Sequence, residues 1–278
     1  MQKSISPLRY PGGKTRVAKD LVNLFPSFTE YREPFLGGGS VFFQTITHGN
    51  PNKCWINDLN SDLYFFWDSV KNSLDELVNE IVELREKYYG RGKELHRYLK
   101  TQSVTHSPIE SAVRFFILNR ITYSGLTESG GYSNESFEGR FTLSSISKLI
   151  EASYLLQGVE ITNLDYSDML SVPGSDVFLF LDPPYYSPRK SKLYGVNGSL
   201  HTEFDHYRFV ETVKNSKHRW LITYDDDPFI RDLFKDYRVV DLNLQYGMSQ
   251  SNGSAKIGKE IIITNYEPCQ ISEKLFNC

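Results

Sequence analysis

Apolar residues recur along this chain in two periods, and their alternation outlines a fold. Val17, Leu21 and Leu24 keep helical spacing, which predicts a short helix over 17–25. Residues 31–36 read as a strand running into three glycines, with a new helix starting near Ser40. Residues 54–57 form a second short strand that ends at Asp58, and Asn60 or Ser61 is placed to cap the next helix. Leu74, Leu77, Val78, Ile81 and Leu84 sit on one helix face, as do Val113, Phe116, Ile117 and Ile121 within 109–121. Between Thr122 and Thr142 the texture changes to Gly, Ser, Asn and Glu with interleaved Tyr and Phe, which predicts an exposed loop or ribbon. Strands follow at 159–162, 177–181, 220–224, 238–242 and 260–264. The run at 177–181 is apolar throughout, the pattern of a strand buried on both faces. Strands separated by helical stretches imply an α/β sheet, with 62–158 as an insertion.

Composition narrows the class. The chain has 278 residues, of which 40% are hydrophobic and 23% charged. Wholesale disorder is excluded, and the length allows one large α/β domain or a core domain with a smaller insertion. A net charge of −3 excludes a polycation that coats nucleic acid by charge alone. The three cysteines, Cys54, Cys269 and Cys278, outline neither a disulfide framework nor a zinc site. A reducing cytoplasm is the expected compartment. The N-terminal stretch carries no signal-peptide pattern. No apolar run reaches the roughly 18 residues of a membrane span, so no membrane partner is expected.

Three motifs carry candidate chemistry. Gly12-Gly13-Lys14-Thr15 resembles the end of a phosphate loop, but that loop needs a glycine where Leu8 stands. Phe35-Leu36-Gly37-Gly38-Gly39-Ser40 follows a strand and lets backbone N–H groups approach a ligand at a helix start. A dinucleotide fingerprint would need glycine at Phe42. Asp58, about 20 residues on, is placed to accept both ribose hydroxyls of a nucleoside cofactor. A Gly-rich turn with that acid suits an adenosine ligand lacking a pyrophosphate, S-adenosylmethionine being the commonest; a purely structural turn fits as well. The third motif is Asp182-Pro183-Pro184-Tyr185, at the C-terminal end of the buried strand, where ligands sit in open α/β sheets.

The third motif suits transfer to an exocyclic base amine. Such an amine is a poor nucleophile because its lone pair is delocalised into the ring. A carboxylate and a backbone carbonyl accepting its two N–H bonds localise that pair for in-line attack on a sulfonium methyl. The prolines stiffen the turn, and Tyr185 offers a stacking face for an extruded base. Neither a metal nor a covalent intermediate is required. The cytosine amine suits the same loop. Transfer to a cytosine ring carbon would need a cysteine nucleophile, and Cys269 lies beyond the last strand. The bland alternative is a rigid proline turn with a capping Asp.

Taken together and in this order, the motifs resemble the adenine-specific DNA methyltransferases of the Dam type, the D12 class. The resemblance rests on LRYPGGK (8–14), REPFLGGGSVFF (32–43), INDLNSDL (56–63), FFILNRITYSG (115–125), LDYSDM (164–169), LDPPY (181–185) and KEIIITNY (259–266). It implies a Rossmann-like class I S-adenosylmethionine-dependent methyltransferase sheet with an inserted, mainly helical target recognition domain. Residues 1–61 and 159–278 would form the catalytic domain, and 62–158 the insertion. Tyr10, Lys14, Phe35, Gly37, Gly39, Asp58, Asp165, Tyr166 and Asp182 are then the expected cofactor residues. Asp182, Pro183, Pro184 and Tyr185 would form the catalytic loop. The stretch 123–140 departs from the GATC-reading members, so the resemblance implies no particular target sequence.

Charge fits this division. Residues 85–150 hold 10 Lys/Arg and 6 Asp/Glu, a local +4, which leaves 21 against 28, or −7, elsewhere. A basic insertion on an acidic core suits phosphate contact, although a solvated helix face carries the same charges. Asn119, Arg120, Tyr123, Arg140, Lys256 and Lys259 are the expected DNA contacts. The expected partners are double-stranded DNA and a cognate restriction endonuclease, with the protein a monomer. The expected setting is a prokaryotic cytoplasm, at the nucleoid or encoded by a phage. A catalytically silent nucleic-acid-binding regulator is the alternative of another class, and the intact DPPY loop argues against it.

Overall fold

The computed structural model describes residues 6–49, 51–101, 107–186, 204–245 and 257–268. Seven strands form one sheet: β1 (Glu30–Glu33), β2 (Lys53–Asn57), β3 (Glu160–Thr162), β4 (Val177–Leu181), β5 (Arg219–Asp225), β6 (Arg238–Gln245) and β7 (Ile257–Thr264). Their order is β3-β2-β1-β4-β5-β7-β6. The first five run parallel, while β7 lies antiparallel between β5 and β6. The chain therefore steps outward from β1 to β3 and returns to β4 on the other side. That reversal creates a switch point between β1 and β4.

β4 shows why a continuous apolar run forms a central strand. All five residues are buried. Phe178 and Phe180 enter a cluster with Phe25, Phe42 and Leu221 on one face of the sheet. Val177, Leu179 and Leu181 enter another with Phe209, Trp220 and Ile222. β1 stops at Glu33, short of the expected Leu36, where Pro34 removes a ladder donor.

Short helices α1 (Ala18–Val22) and α2 (Ser40–Gly49) flank β1 in sequence. Between β2 and β3 the described residues form no strand of the sheet. They fold into α3 (Ser61–Asn72), α4 (Leu74–Lys87), α5 (Gly92–Thr101), α6 (Pro108–Ile121), α7 (Asn134–Arg140) and α8 (Leu143–Leu156). Asn60 caps α3 by accepting from the N–H groups of Asp62 and Leu63. Ser107 and Glu110 close a capping box at α6. Phe66 of α3 stacks on Phe116 of α6 at 5.9 Å, within the same cluster that covers Phe178 and Phe180. The helical segment thus extends the core of one sheet face. After β3 come α9 (Tyr166–Ser171), α10 (His206–Asn215) and α11 (Pro228–Leu233).

One expectation fails. The stretch 122–142 is not an exposed loop. It contains a 3-10 turn at Tyr123–Gly125, a bridge between Thr122 and Tyr132, and α7. Phe137 and Phe141 are buried. The Ser133 hydroxyl accepts the Ser136 N–H at the start of α7, and this helix of two turns is too short to show a period.

Candidate active site

A cleft of about 560 Å³ opens above the C-terminal ends of β1, β2, β4 and β5, at the switch point. It brings together Tyr10, Lys14, Phe35, Gly37, Asp58, Asp165, Tyr166, the loop Asp182–Tyr185 and Lys259. Gly39 does not line it. That residue's positive φ of 67° serves the turn, and a side chain there would meet Phe43 and Trp67.

The Gly-rich turn packs against Tyr10. A Cβ on Gly37 would fall 2.8 Å from the Tyr10 ring, and one on Gly38 2.7 Å from Tyr10 Cβ. The Gly37 N–H donates to Asp58 Oδ2 at 2.8 Å, and the Asn60 N–H to Oδ1 at 3.0 Å. Burial pushes the Asp58 carboxyl up to about 6, against the pull of those two donors. Asp58 is therefore a fixed acceptor at the mouth of a glycine cradle.

The Asp182–Tyr185 loop is held by groups from three segments. Lys14, 4% exposed, donates from Nζ to the Gly12 carbonyl at 3.1 Å and pairs with Asp182 Oδ1 at 2.8 Å. The Thr223 hydroxyl of β5 donates to the same oxygen at 2.6 Å, and the Tyr185 hydroxyl at 3.3 Å. Lys14 Nζ also lies 4.9 Å from the Tyr185 ring centroid and 3.9 Å from Glu260 Oε2. The Tyr185 ring stacks at 5.8 Å on Tyr224.

Asp165 caps α9 through the Ser167 N–H and takes two hydrogen bonds from Arg208, at 2.7 and 3.1 Å. Burial works against its charge, yet the Arg208 and Ser167 hydrogen bonds hold the carboxyl below its ordinary value. Arg208 lies 5.1 Å over the Tyr166 ring.

Several site residues escaped the sequence reading. Glu33 lines the cleft, accepts the Tyr31 hydroxyl at 2.5 Å, and is pushed well above the carboxylate range, first by burial and then by the negative Asp182 and Asp58. Its place at the end of β1, before the glycines, was the available signal. Asp225, at the end of β5, is pushed up to about 7, chiefly by burial. Among the described residues, seven acids, Asp205 and Glu260 included, line the cleft with the cations Lys14, Arg208 and Lys259, and burial keeps Glu33 uncharged.

The expected DNA contacts separate in space. Tyr123 and Arg140 are exposed, and Lys259 is exposed at the cleft. Lys256 lies outside the described residues. Asn119 is fully buried, which corrects its assignment to DNA. Its side chain accepts from Arg9 N–H at 3.0 Å and donates to the carbonyls of Arg9 at 2.7 Å and Gly125 at 3.1 Å. It therefore fastens the N-terminal turn to α6. Arg120 is 7% exposed and lies 5.5 Å over Phe116, with Nε lacking a hydrogen-bond partner. Burial and then the cations Arg9 and Arg140 pull its guanidinium down to about 10.

Among the described residues no cluster of His, Cys, Asp and Glu is placed to hold a metal ion. No described helix is long and apolar enough to cross a membrane. Cys54 is buried, and burial followed by the negative Glu33 pushes its thiol up to about 12. That suits packing rather than nucleophilic chemistry. Cys269 and Cys278 lie outside the described residues.

Residues 10–248 match the model of the D12 class N6 adenine-specific DNA methyltransferase family. The type II methyltransferase M.MjaIII of Methanocaldococcus jannaschii is 25% identical over 84% of this chain and 79% of its own length. The DNA adenine methylase of Escherichia coli is 24% identical over 98% of this chain and 99% of its own. The DNA N-6-adenine-methyltransferase of Escherichia phage P1 is 24% identical over 92% of this chain and 35% of its own. A match across most of the length, on a sheet whose switch-point cleft holds the DPPY loop, places the chain in the D12 class N6 adenine-specific DNA methyltransferase family.

Proposed function

We propose that the cleft binds S-adenosylmethionine together with an adenine extruded from duplex DNA, and that Asp182 and the Pro183 carbonyl hold the adenine amine. The observation carrying this reading is the convergence of the glycine–Asp58 cradle and the Asp182–Tyr185 loop on one cleft. Bound S-adenosylmethionine supplies the methyl group, the C–N bond forming as the S–CH3 bond breaks with its electron pair left on sulfur.

The residues present fit that ligand. The volume lies within the roughly 300–1,000 Å³ of small-molecule sites. Asp58 accepts the ribose hydroxyls. The bare glycine backbone, Tyr10 and Phe35 take the methionine half. Asp165 and Tyr166 border the cofactor's adenine ring. Asp182, its geometry set by Lys14 and Thr223, accepts one amine N–H while the target base stacks on Tyr185.

Residues 1–61 and 159–278 act as the catalytic domain, and 62–158 as the target recognition domain. The exposed Tyr123, Arg140 and Lys259 contact the duplex, and Lys256, outside the described residues, is a further contact. The protein acts as a monomer on the DNA of a prokaryotic cell or its phage. A cognate restriction endonuclease is a fitting partner, since M.MjaIII carries a type II methyltransferase name.

The test is to treat mixed-sequence duplex DNA with the protein and methyl-labelled S-adenosylmethionine, then digest to nucleosides. Label in N6-methyldeoxyadenosine supports the reading, and label in a methylated deoxycytidine, or none, overturns it.

A further inference from the structure

Methyl transfer to an adenine amine leaves the nitrogen with a new methyl group, two hydrogens and a positive charge. One proton has to depart. The DPPY loop supplies acceptors that hold the amine beforehand, but Asp182 already takes three donors. Glu33 is engaged by Tyr31, and Glu260 lies beside Lys14.

Asp225 is placed differently. On β5, Leu221 packs on the Phe180 face of the sheet, and the Thr223 hydroxyl reaches Asp182 from that same side. Two residues further along, strand alternation brings Asp225 to this side as well, one step beyond the catalytic carboxylate. Asp225 lines the cleft. Its own N–H and that of Tyr186, directly after the catalytic tyrosine, face the carboxyl and partly offset the effect of its burial. Its Oδ1 is buried and has no hydrogen-bond partner among the described residues. A shielded carboxylate oxygen without a donor, tied to the catalytic loop, is placed to accept a proton.

We propose that Asp225 is the proton acceptor of the reaction, its Oδ1 taking a proton from the amine as the methyl arrives. In that step an N–H bond breaks, its electron pair stays on nitrogen, and an O–H bond forms on Asp225. The products are a neutral N6-methyl amine and a neutral carboxyl group, which returns its proton to solvent when the cleft opens. The inference rests on the proposed seating of the base in the DPPY loop.

The surroundings support the role. Burial raises the carboxyl to about 7, and the negative Asp227 and Glu260 add to the rise. Asp225 pairs across the sheet with Glu260 of β7. Lys259 and the Lys14–Asp182 pair line the same cleft. A base poised near the working pH is the efficient choice for proton transfer.

The test compares wild type, Asp225→Asn and Asp225→Glu in single-turnover methylation of duplex DNA between pH 5.5 and 8.5. Cofactor affinity and the fluorescence of 2-aminopurine at the target position are measured alongside. Wild type should lose rate below a midpoint near 7. Asp225→Asn should be roughly 100-fold slower at pH 8, with the acid limb gone, while cofactor affinity and base extrusion stay within threefold. Asp225→Glu should keep the limb at a shifted midpoint. An Asp225→Asn rate within threefold of wild type, or a slow rate with the limb unchanged, overturns the assignment. If Asp225→Asn loses cofactor binding, Asp225→Glu decides: a shifted midpoint supports the role and an unshifted one overturns it. Wild-type protein that forms no N6-methyladenine would instead overturn the underlying reading.

Discussion

Lys14 and Asp182 lie 168 positions apart in the chain, yet their charged groups meet at 2.8 Å. The contact joins the N-terminal turn to the Asp182–Tyr185 loop and fixes the carboxylate in the cleft. Replacing Lys14 by Met leaves Asp182 with only hydroxyl donors. The expected stability loss is about 2 kcal/mol, below that of a fully buried pair because the Asp182 side chain keeps 22% exposure. Urea denaturation measures the loss. Turnover at saturating cofactor should fall at least tenfold, since Asp182 is no longer held in place.

In the proposed complex Asp58 sets the pH dependence of cofactor binding. Its carboxyl sits at about 6, and only the ionised form accepts both ribose hydroxyls. Acidification through pH 6 protonates it, so affinity should be full at pH 8 and fall steadily below 6. Calorimetric titration across that range reads this directly. Asp58→Ala should weaken binding at pH 8 by about 10- to 100-fold and flatten the pH dependence, with turnover at saturation little changed.

Asn119 holds the helical insertion to the cofactor turn. Asn119→Ala leaves the Arg9 N–H and carbonyl and the Gly125 carbonyl without this partner. The expected cost is about 2–4 kcal/mol in urea denaturation, with weaker cofactor binding because Tyr10 and Lys14 follow Arg9 directly. A loss of DNA affinity alone, at unchanged stability, would restore a DNA-contact role.

Arg140 is exposed at the end of α7. In the proposed complex it meets a phosphate. Arg140→Ala should weaken binding to duplexes of any sequence and lower the slope of log affinity against log salt by about one. An unchanged slope would remove Arg140 from the interface.

Much of this site was legible because local rules suffice for it. A continuous apolar run at 177–181 marks the central strand, and a strand end followed by Asp-Pro-Pro-Tyr marks a loop that lines the cleft. Asn60 caps a helix as its chemistry requires. What stayed hidden depends on distant partners. Nothing near Asn119 announces that it binds Arg9, 110 positions away. Glu33 and Asp225 look like ordinary strand-end acids until the sheet lines them up with Asp182. α7 was missed because seven residues of mixed polarity show no period, although Phe137 and Phe141 bury one face. α8 did carry helical spacing, at Ile146, Leu149 and Leu156.

In the proposed complex Asp182 acts on the adenine amine rather than merely shaping the turn. The most direct test of that role is single-turnover methylation of duplex DNA by Asp182→Ala, with cofactor affinity measured on the same preparation. Formation of N6-methyladenine should drop by roughly a thousandfold or more while S-adenosylmethionine still binds. Near-wild-type methylation by Asp182→Ala would contradict the account.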